Sequence, residues 1–383
     1  MKKLLAIFLT VAMSLSLAAC SGGESSASSA APESEASQAE TQSEENASAK
    51  EAKDVKVGIS MPTQSLQRWN QDGMNMKQQF EKEGYTVDLQ YAGDNDIPTQ
   101  VSQIENMISS GCDVLVIAAI DGSSLTEVLK GAKDKNIPVI SYDRLIMNSD
   151  AVTYYATFDN YKVGKFQGEY IRDALNLDSE SGPFNIELFT GPTDDNNVNF
   201  FWSGAMEVLQ PYIDEGKLVV KSGQTSKAQC ATTNWSTEES QKRMENLISS
   251  VGYGSNGTKL DAVLSSNDSV ANGITNALLA VGYTKDNFPI LTGQDCDKTS
   301  VKNMLAGTQS MSIFKDTRTL AAQVVKMVNS IVSGTEVEIN DTETYDNGTG
   351  IIPSYLCEPV VCTLDNYKEL LIDSGYYSEA DVS

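Results

Sequence analysis

The sequence predicts an α/β protein built from two doubly wound parallel sheets. After residue 54, short apolar runs of strand length alternate with amphipathic segments of helix length, which is the pattern of βαβ units. Several of these runs, such as DVLVIAAI at 113–120, are apolar on both faces, as expected for parallel strands covered by helices on either side. At 383 residues, the chain is long enough to form two lobes, one around each sheet.

The predicted strands fall into two series. The first series comprises Val55–Ser60, Thr86–Ala92, Val114–Ala119, Pro138–Asp143 and Thr153–Asp159. The second series comprises Asn185–Gly191, Leu218–Gly223, Asp261–Asn267, Ile290–Asp295 and Ser310–Lys315. Between the strands, the pattern predicts helices that include Trp69–Glu83, Ile97–Ser110, Ser123–Lys135, Asn160–Leu175 and Thr317–Ser333.

The composition disfavours several functional classes. A net charge of −24 leaves no basic surface for a phosphate backbone, so nucleic acid is not an expected partner. The chain has no histidine, which removes the usual general base and the commonest zinc ligand. A GxGxxG match at 252–257 follows a helix and precedes a strand, the reverse of the dinucleotide-binding order. We therefore expect no enzyme, no metal and no cofactor.

The first 54 residues have the pattern of an export signal followed by a tether. Two lysines precede an apolar segment from Leu4 to about Leu17, and small residues then lead to Cys20. The stretch LAAC followed by serine resembles the bacterial lipobox, in which the cysteine is lipidated. A plain secretory signal with an incidental cysteine is the alternative. We predict a signal peptide at 1–19 and, at 20–54, the lipidated Cys20 with a disordered acidic tether, typical of a Gram-positive cell surface.

Planar polar or aromatic side chains follow nearly every predicted strand, at the edge where doubly wound sheets bind ligands. Those we single out are Arg68, Trp69, Asp121, Asp143, Arg144, Trp235, Asn267 and Asp295. Carboxylates, amides and guanidinium groups can hydrogen-bond adjacent hydroxyls, and an indole offers a flat apolar face. A sugar ring needs both kinds of contact. Each residue alone is more often a cap, an ion pair or a core residue, so the hypothesis depends on their coincidence at seven or more strand ends.

Residues 55–383 also resemble a known family. The motifs that carry the resemblance are QRWNQDG, QIENMI, VLVIAAIDG, YDRLI, YYATFDN, GPFNIELFTG, DDNN, GQD, SIFKDTR and IPSYL. They occur in the order found in the type I periplasmic sugar-binding proteins of ABC importers, within the xylose-binding and multiple-sugar-binding (ChvE-like) group. The resemblance implies that Trp69 and Trp235 stack on a sugar held between two lobes. It implies hydrogen bonds to the sugar from Arg68, Asp121, Asp143, Arg144, Asn197, Asn267, Asp295 and Lys315.

The resemblance further implies that the chain crosses between the lobes three times, near 158–160, 314–316 and 344–346. The N-terminal lobe would then comprise 55–158 and 315–344. The C-terminal lobe would comprise 159–314 and 345–383. Sugar bound between the lobes would favour their closed state, which a membrane permease recognises.

We expect a monomeric, lipid-anchored, extracytoplasmic protein that captures a monosaccharide and delivers it to the membrane subunits of an ABC importer. The expected ligand is an aldose such as xylose, arabinose, galactose or glucose. A module that presents the same sugar to a chemoreceptor or histidine kinase would use the same residues. Asn267, in SSNDSVANG, leaves a furanosyl signal or a nucleoside open, and a glycosidase would need paired carboxylates such as Asp143 and Asp295. A disulfide between Cys357 and Cys362 is also left open.

Overall fold

A computed structural model of the protein describes residues 50–254 and 257–383. In these ranges the chain forms two parallel sheets flanked by helices, which confirms the predicted α/β class with two lobes. The predicted signal peptide, Cys20 and most of the predicted tether lie outside the described residues. Within them, no helix combines the length and the apolar character needed to cross a membrane.

The strands are numbered in chain order. They are β1 (Lys56–Met61), β2 (Thr86–Tyr91), β3 (Val114–Ile117), β4 (Val139–Tyr142), β5 (Val152–Phe158), β6 (Phe184–Phe189), β7 (Leu218–Val220), β8 (Ala262–Ser265), β9 (Ile290–Leu291), β10 (Ser312–Phe314), β11 (Ser354–Cys357) and β12 (Val360–Cys362).

The helices are numbered in the same way. They are α1 (Gln67–Lys82), α2 (Ile97–Ser109), α3 (Thr126–Asp134), α4 (Asn160–Ala174), α5 (Asn197–Asp214), α6 (Lys227–Cys230), α7 (Thr237–Val251), α8 (Asp268–Ala280), α9 (Lys298–Ala306), α10 (Thr317–Ser333) and α11 (Glu379–Val382). Short helical segments add Ala52–Asp54, Thr233–Trp235 and Lys368–Asp373.

The N-terminal lobe is built on a six-stranded parallel sheet with the order β11-β5-β4-β3-β1-β2. Strand β3 shows why the apolar runs have no polar face. Val114 and Val116 pack in the core formed with α1 and α10, whereas Leu115 and Ile117 pack in the core formed with α2 and α3. Because both faces of the sheet are covered, alternate residues of one strand enter two separate cores.

The C-terminal lobe is built on a four-stranded parallel sheet with the order β7-β6-β8-β9. Strand β10 was predicted to continue this parallel series, but it pairs antiparallel with β12. Backbone hydrogen bonds still join Ile313 to Gly293 and Asp295, at 3.0 and 2.8 Å. The chain bends away directly afterwards, because Asp295 and Cys296 have φ angles of 96° and 51°. A regular parallel pair therefore does not continue beyond this point.

The third crossing between the lobes differs from the predicted one. We predicted 345–383 in the C-terminal lobe, but Ser354–Cys357 pairs with β5 at the edge of the six-stranded sheet. Asn347 also belongs to the N-terminal lobe, since its amide donates to the carbonyls of Ile146 and Ser149 at 3.1 and 2.8 Å. The crossing therefore follows Cys357, and β12 is the first strand after it to join the C-terminal lobe. Cys357 and Cys362 are buried free thiols.

Helices α4 and α5 approach one another closely because glycines lie at their contact. A Cβ atom on Gly164 would lie 1.9 Å from the carbonyl oxygen of Phe201, and one on Gly204 would lie 2.1 Å from that of Tyr161. The contact fixes the first turns of α5, which carry Asn197 and Phe201.

The contact between α4 and α5 predicts that adding a methyl group at Gly164 lowers stability, whereas adding one at Gly131 does not. We expect Gly164→Ala to lower the free energy of unfolding by about 1–3 kcal/mol, because the new Cβ overlaps backbone that has no room to move. Gly131→Ala in α3 is the matched control, since its Cβ would lie 3.8 Å from the nearest side-chain atoms. The control should raise stability by about 0.4–1 kcal/mol. Equal urea midpoints for the two variants would contradict the close approach of the helices.

Candidate functional site

A cavity of about 440 Å³, part of it open to solvent, lies between the two lobes at the carboxyl ends of their strands. This is where doubly wound sheets bind ligands. Its lining consists of Leu66, Arg68, Trp69, Asp143, Arg144, Asp195, Asn197, Phe201, Trp235, Asn267, Ser269, Gln294, Asp295, Asp297 and Lys315. Two tryptophans, three basic groups and four carboxylates therefore surround one space.

Nine of the ten residues predicted to bind the ligand line this cavity; they are Arg68, Trp69, Asp143, Arg144, Asn197, Trp235, Asn267, Asp295 and Lys315. The tenth, Asp121, does not line it. Its carboxylate accepts hydrogen bonds from the Ser123 N–H at 2.8 Å and the Ser124 hydroxyl at 2.7 Å, in the turn before α3. Asp121 is therefore held as a turn cap rather than aimed at the cavity.

Arg68, in the first turn of α1, is the centre of the charge network. Its Nε donates to Asp72 at 3.0 Å, its Nη1 donates to Asp295 at 3.2 Å, and its Nη2 donates to Asp143. Only 7% of the residue is exposed, so the charge depends on these partners rather than on water. Asp295 belongs to the C-terminal lobe, and its contact with Arg68 therefore joins the two lobes.

Lys315 adds a second cation to the same carboxylates. It follows β10 at the second crossing, and its Nζ lies 3.0 Å from Asp295 Oδ1 and 3.9 Å from Asp143 Oδ1. Burial alone would raise the pKa of Asp143, but the charges of Arg68, Lys315 and Arg144 outweigh burial and hold the pKa below its ordinary value. Asp143 is therefore an ionised acceptor at neutral pH.

The backbone of Asp143 explains how its side chain is aimed. The residue has a φ of 58°, in the left-handed region. Its carbonyl oxygen accepts hydrogen bonds from the Tyr155 hydroxyl at 2.6 Å, the Thr157 hydroxyl at 3.0 Å and the Asn197 amide at 2.8 Å. These three donors hold the carbonyl on the protein side of the turn, while the carboxylate lines the cavity.

Arg144 and Asp195 hold the two indole rings in place. The Arg144 guanidinium lies 5.1 Å from the centre of the Trp69 ring, and its Nη1 donates to the carbonyls of Ala119 and Ile120. Its Nε lies 3.1 Å from Asp195, as an ion pair that is not aligned for a hydrogen bond. The same Asp195 oxygen accepts a hydrogen bond from the Trp235 indole at 3.1 Å. The ion pair between Arg144 and Asp195 joins the two lobes.

Two of the residues predicted to bind the ligand, Asn197 and Asn267, already make side-chain hydrogen bonds within the protein. The Asn197 oxygen accepts from the Asn160 amide at 3.1 Å and lies 3.0 Å from the Tyr155 hydroxyl, whose single proton has a shorter contact with the Asp143 carbonyl, at 2.6 Å. Asn267 caps α8, since its oxygen accepts from the Val270 N–H at 3.0 Å. One N–H of the Asn197 amide donates to the Asp143 carbonyl, so its second N–H and the N–H groups of the Asn267 amide are the donors that these two residues offer a ligand.

Several lining residues were not among those predicted to bind the ligand, notably Asp195, Phe201, Ser269, Gln294 and Asp297. Gln294 is the most informative. Its Nε2 donates to the Ser266 carbonyl at 2.9 Å, but its buried Oε1 has no hydrogen-bond partner among the described residues. A buried acceptor without a partner is unfavourable by about 1–3 kcal/mol, so a ligand hydroxyl would be a fitting donor. The GQD motif contained this signal.

Asp72 lies behind the cavity and gives the network a pH dependence. It is fully buried between Arg68 and the hydroxyl of Tyr142, and burial raises its pKa from 3.8 to about 6. A carboxyl group with a raised pKa favours the folded state at low pH, and this contribution is lost as the pH rises through about 6.

The raised pKa of Asp72 predicts how a neutral variant will differ from the wild type. Between pH 4 and pH 7.5, wild type should lose on the order of 3 kcal/mol of unfolding free energy relative to Asp72→Asn. Urea unfolding across this range measures the difference. For Asp134→Asn, at an exposed site in α3, the unfolding free energy should change with pH as it does in wild type. If the unfolding free energies of Asp72→Asn and wild type change equally with pH, Asp72 has the same pKa in the folded and unfolded states, and the prediction is wrong.

The chain matches known proteins over nearly all of its described length. Residues 57–336 match the model of the periplasmic binding protein domain. The multiple sugar-binding periplasmic protein SbpA of Azospirillum brasilense is 53% identical over 85% of this chain and 90% of its own length. The multiple sugar-binding periplasmic receptor ChvE of Rhizobium radiobacter is 51% identical over 86% of this chain and 93% of its own.

A solved structure agrees with these matches. The ABC transporter solute-binding protein of Clostridium phytofermentans, with bound β-D-glucose, is 64% identical, superposes with a TM-score of 0.83, and covers 86% of this chain and 100% of its own. The matches span both lobes, including the strands whose carboxyl ends line the cavity. The chain therefore belongs to the periplasmic binding protein family, in the group of the multiple sugar-binding receptors.

Proposed function

We propose that the protein captures a monosaccharide between its lobes and delivers it to an ABC importer. The observation that carries this proposal is the lining of the cavity, where indole rings and ionised polar groups from both lobes are fixed by contacts within the protein. The expected ligands are aldoses such as xylose, arabinose, galactose and glucose. The glucose bound to the Clostridium phytofermentans relative supports this ligand class.

The chemistry of the cavity suits a ring that carries hydroxyls on its edge and C–H groups on its faces. Asp143 and Asp295 accept hydrogen bonds, whereas Arg144 and Lys315 donate them. Trp69 and Trp235 provide apolar surface for the ring faces. Arg68 belongs to the charge network and reaches the ligand mainly through the two carboxylates that it orients.

The same contacts couple ligand capture to closure of the lobes. Arg68 with Asp295, and Arg144 with Asp195, are ion pairs between residues of different lobes, so opening the cleft would separate them. A sugar that hydrogen-bonds Asp143 on one side and Asp295 on the other adds to this preference for the closed state. The closed form then presents the surface that the membrane subunits of an importer recognise.

Sugar capture here requires no catalysis. A glycosidase needs one carboxylic acid that is protonated near neutral pH. Asp143 has its pKa lowered by three cations, and Asp295 lies within 3.2 Å of both Arg68 and Lys315. Neither residue is placed to act as the general acid, which argues against Asp143 and Asp295 as the catalytic pair of a glycosidase.

Ligand binding can be measured by isothermal titration calorimetry with pentoses, hexoses, the corresponding alditols and nucleosides. We expect one or two aldoses to bind, and Asp143→Asn to weaken binding roughly 10- to 150-fold, because a hydrogen bond to a charged group is lost. Asp134→Asn, on the surface of α3, should leave the affinity unchanged. Binding of a nucleoside but of no aldose would keep the fold and overturn the ligand class.

We further propose that Cys20 is lipidated and anchors the protein on the outer face of the cell membrane, as on a Gram-positive surface. The support is the LAAC stretch and the acidic segment that follows it. In cells, wild type should fractionate with membranes, and Cys20→Ser should release the protein or leave its precursor uncleaved. Cys112→Ser, at a buried thiol of the folded region, is the control. Membrane association of Cys20→Ser that matches wild type, with normal processing, would contradict lipidation.

A further inference from the structure

A second cavity adjoins the first at the mouth of the cleft. It encloses about 420 Å³, part of which is open to solvent. Four residues, Leu66, Trp69, Arg144 and Trp235, line both cavities. The two spaces are therefore adjacent, and both indoles contribute to each of them.

We call this second space the outer cavity and the cavity that Asp143 and Asp295 line the inner cavity. The outer cavity is lined by the same kinds of polar group as the inner cavity. The N-terminal lobe contributes Asp94 and Asn95, and the C-terminal lobe contributes Asp194 and Asn234. These side chains are carboxylates and amides, which are planar groups suited to adjacent hydroxyls. Because both lobes contribute to the wall, the outer cavity in this form depends on the lobes being closed around the inner one.

The outer side chains sit on defined turns. Asn95 and Asn234 have φ angles of 54° and 55°, and both are exposed to the cavity space. Asp94 is held by the hydroxyls of Thr63, at 2.6 Å, and Ser65. These hydrogen bonds lower the pKa of Asp94, so the residue stays ionised.

The charge of the outer cavity narrows the class of ligand. Two carboxylates, Asp94 and Asp194, line it, and the one cation in its lining, Arg144, is already paired with Asp195. A phosphate or a uronic acid placed there would meet like charge. A neutral group with several hydroxyls can instead hydrogen-bond the carboxylates and the side-chain amides of the lining.

We propose that the outer cavity is a second sugar subsite, so that the protein accepts neutral disaccharides as well as the monosaccharide. This inference rests on the proposed function of the inner cavity. One ring would occupy the inner cavity, and the second ring would pass the shared indoles and hydrogen-bond the outer amides. The shared surfaces of Trp69 and Trp235 provide apolar contact on both sides of the glycosidic link.

The first test is calorimetry on the full chain with glucose, cellobiose, maltose and gentiobiose, with the disaccharide stocks shown to be free of glucose. The three disaccharides join two glucose rings in different geometries. At least one should bind within about tenfold of the glucose affinity and should displace bound glucose. If glucose binds and none of the three does, the outer cavity is only the solvent-filled mouth, and the proposal is overturned. If neither a disaccharide nor glucose nor any other of the proposed aldoses binds, the proposed function itself fails.

The second test uses variants that act on the outer cavity alone. Asn95→Gly and Asn234→Gly remove an amide at a positive φ that glycine adopts without strain. Each should weaken disaccharide binding roughly three- to tenfold and leave glucose binding unchanged, since one hydrogen bond is lost. Asn136→Gly and Asn176→Gly are matched controls, because both are exposed, have φ angles of 53° and 50°, and lie outside both cavities. If the ratio of disaccharide affinity to glucose affinity is unchanged in both Asn95→Gly and Asn234→Gly, the proposed second subsite is wrong.

Discussion

Burial of the Arg68 guanidinium is the constraint on which the rest of the cleft depends. A buried charge of this kind is tolerated only when its donors find charged acceptors. The three acceptors are Asp72 in α1, Asp143 after β4 and Asp295 after β9. Meeting this one requirement fixes the end of a strand in each lobe and brings the lobes together. In the closed cleft, the two carboxylates that face the cavity are therefore held by the protein's own cations.

The sequence predicted most of this cleft because strand ends in parallel sheets converge on one edge. Asp143 and Asp295 were found in this way, and the resemblance added Asn197 and Lys315. Asp121 satisfied the same criterion, but the local turn with Ser123 and Ser124 captured its carboxylate. Sequence position identifies the edge of the sheet on which a side chain starts. It does not identify which partner the side chain will reach.

Features that depend on contacts distant along the chain could not be predicted in the same way. Asp195 holds the Trp235 indole from 40 residues away, so the DDNN motif looks like a simple helix cap. Strand β11 joins the first sheet beside β5, some 200 residues earlier in the chain, and no local pattern specifies that partner. The buried oxygen of Gln294 is visible as a vacant acceptor only once its surroundings are known.

We propose that the charge network of Arg68, the two indoles and the crossings between the lobes together form a receptor that closes on a sugar. A crystal structure of the protein with glucose tests this claim most directly. We predict a pyranose ring in the inner cavity with hydroxyls about 2.5–3.2 Å from Asp143, Asp295, Lys315 and the free oxygen of Gln294. Glucose bound outside the inner cavity, with Asp143 and Asp295 contacting only Arg68 and Lys315, would contradict this claim.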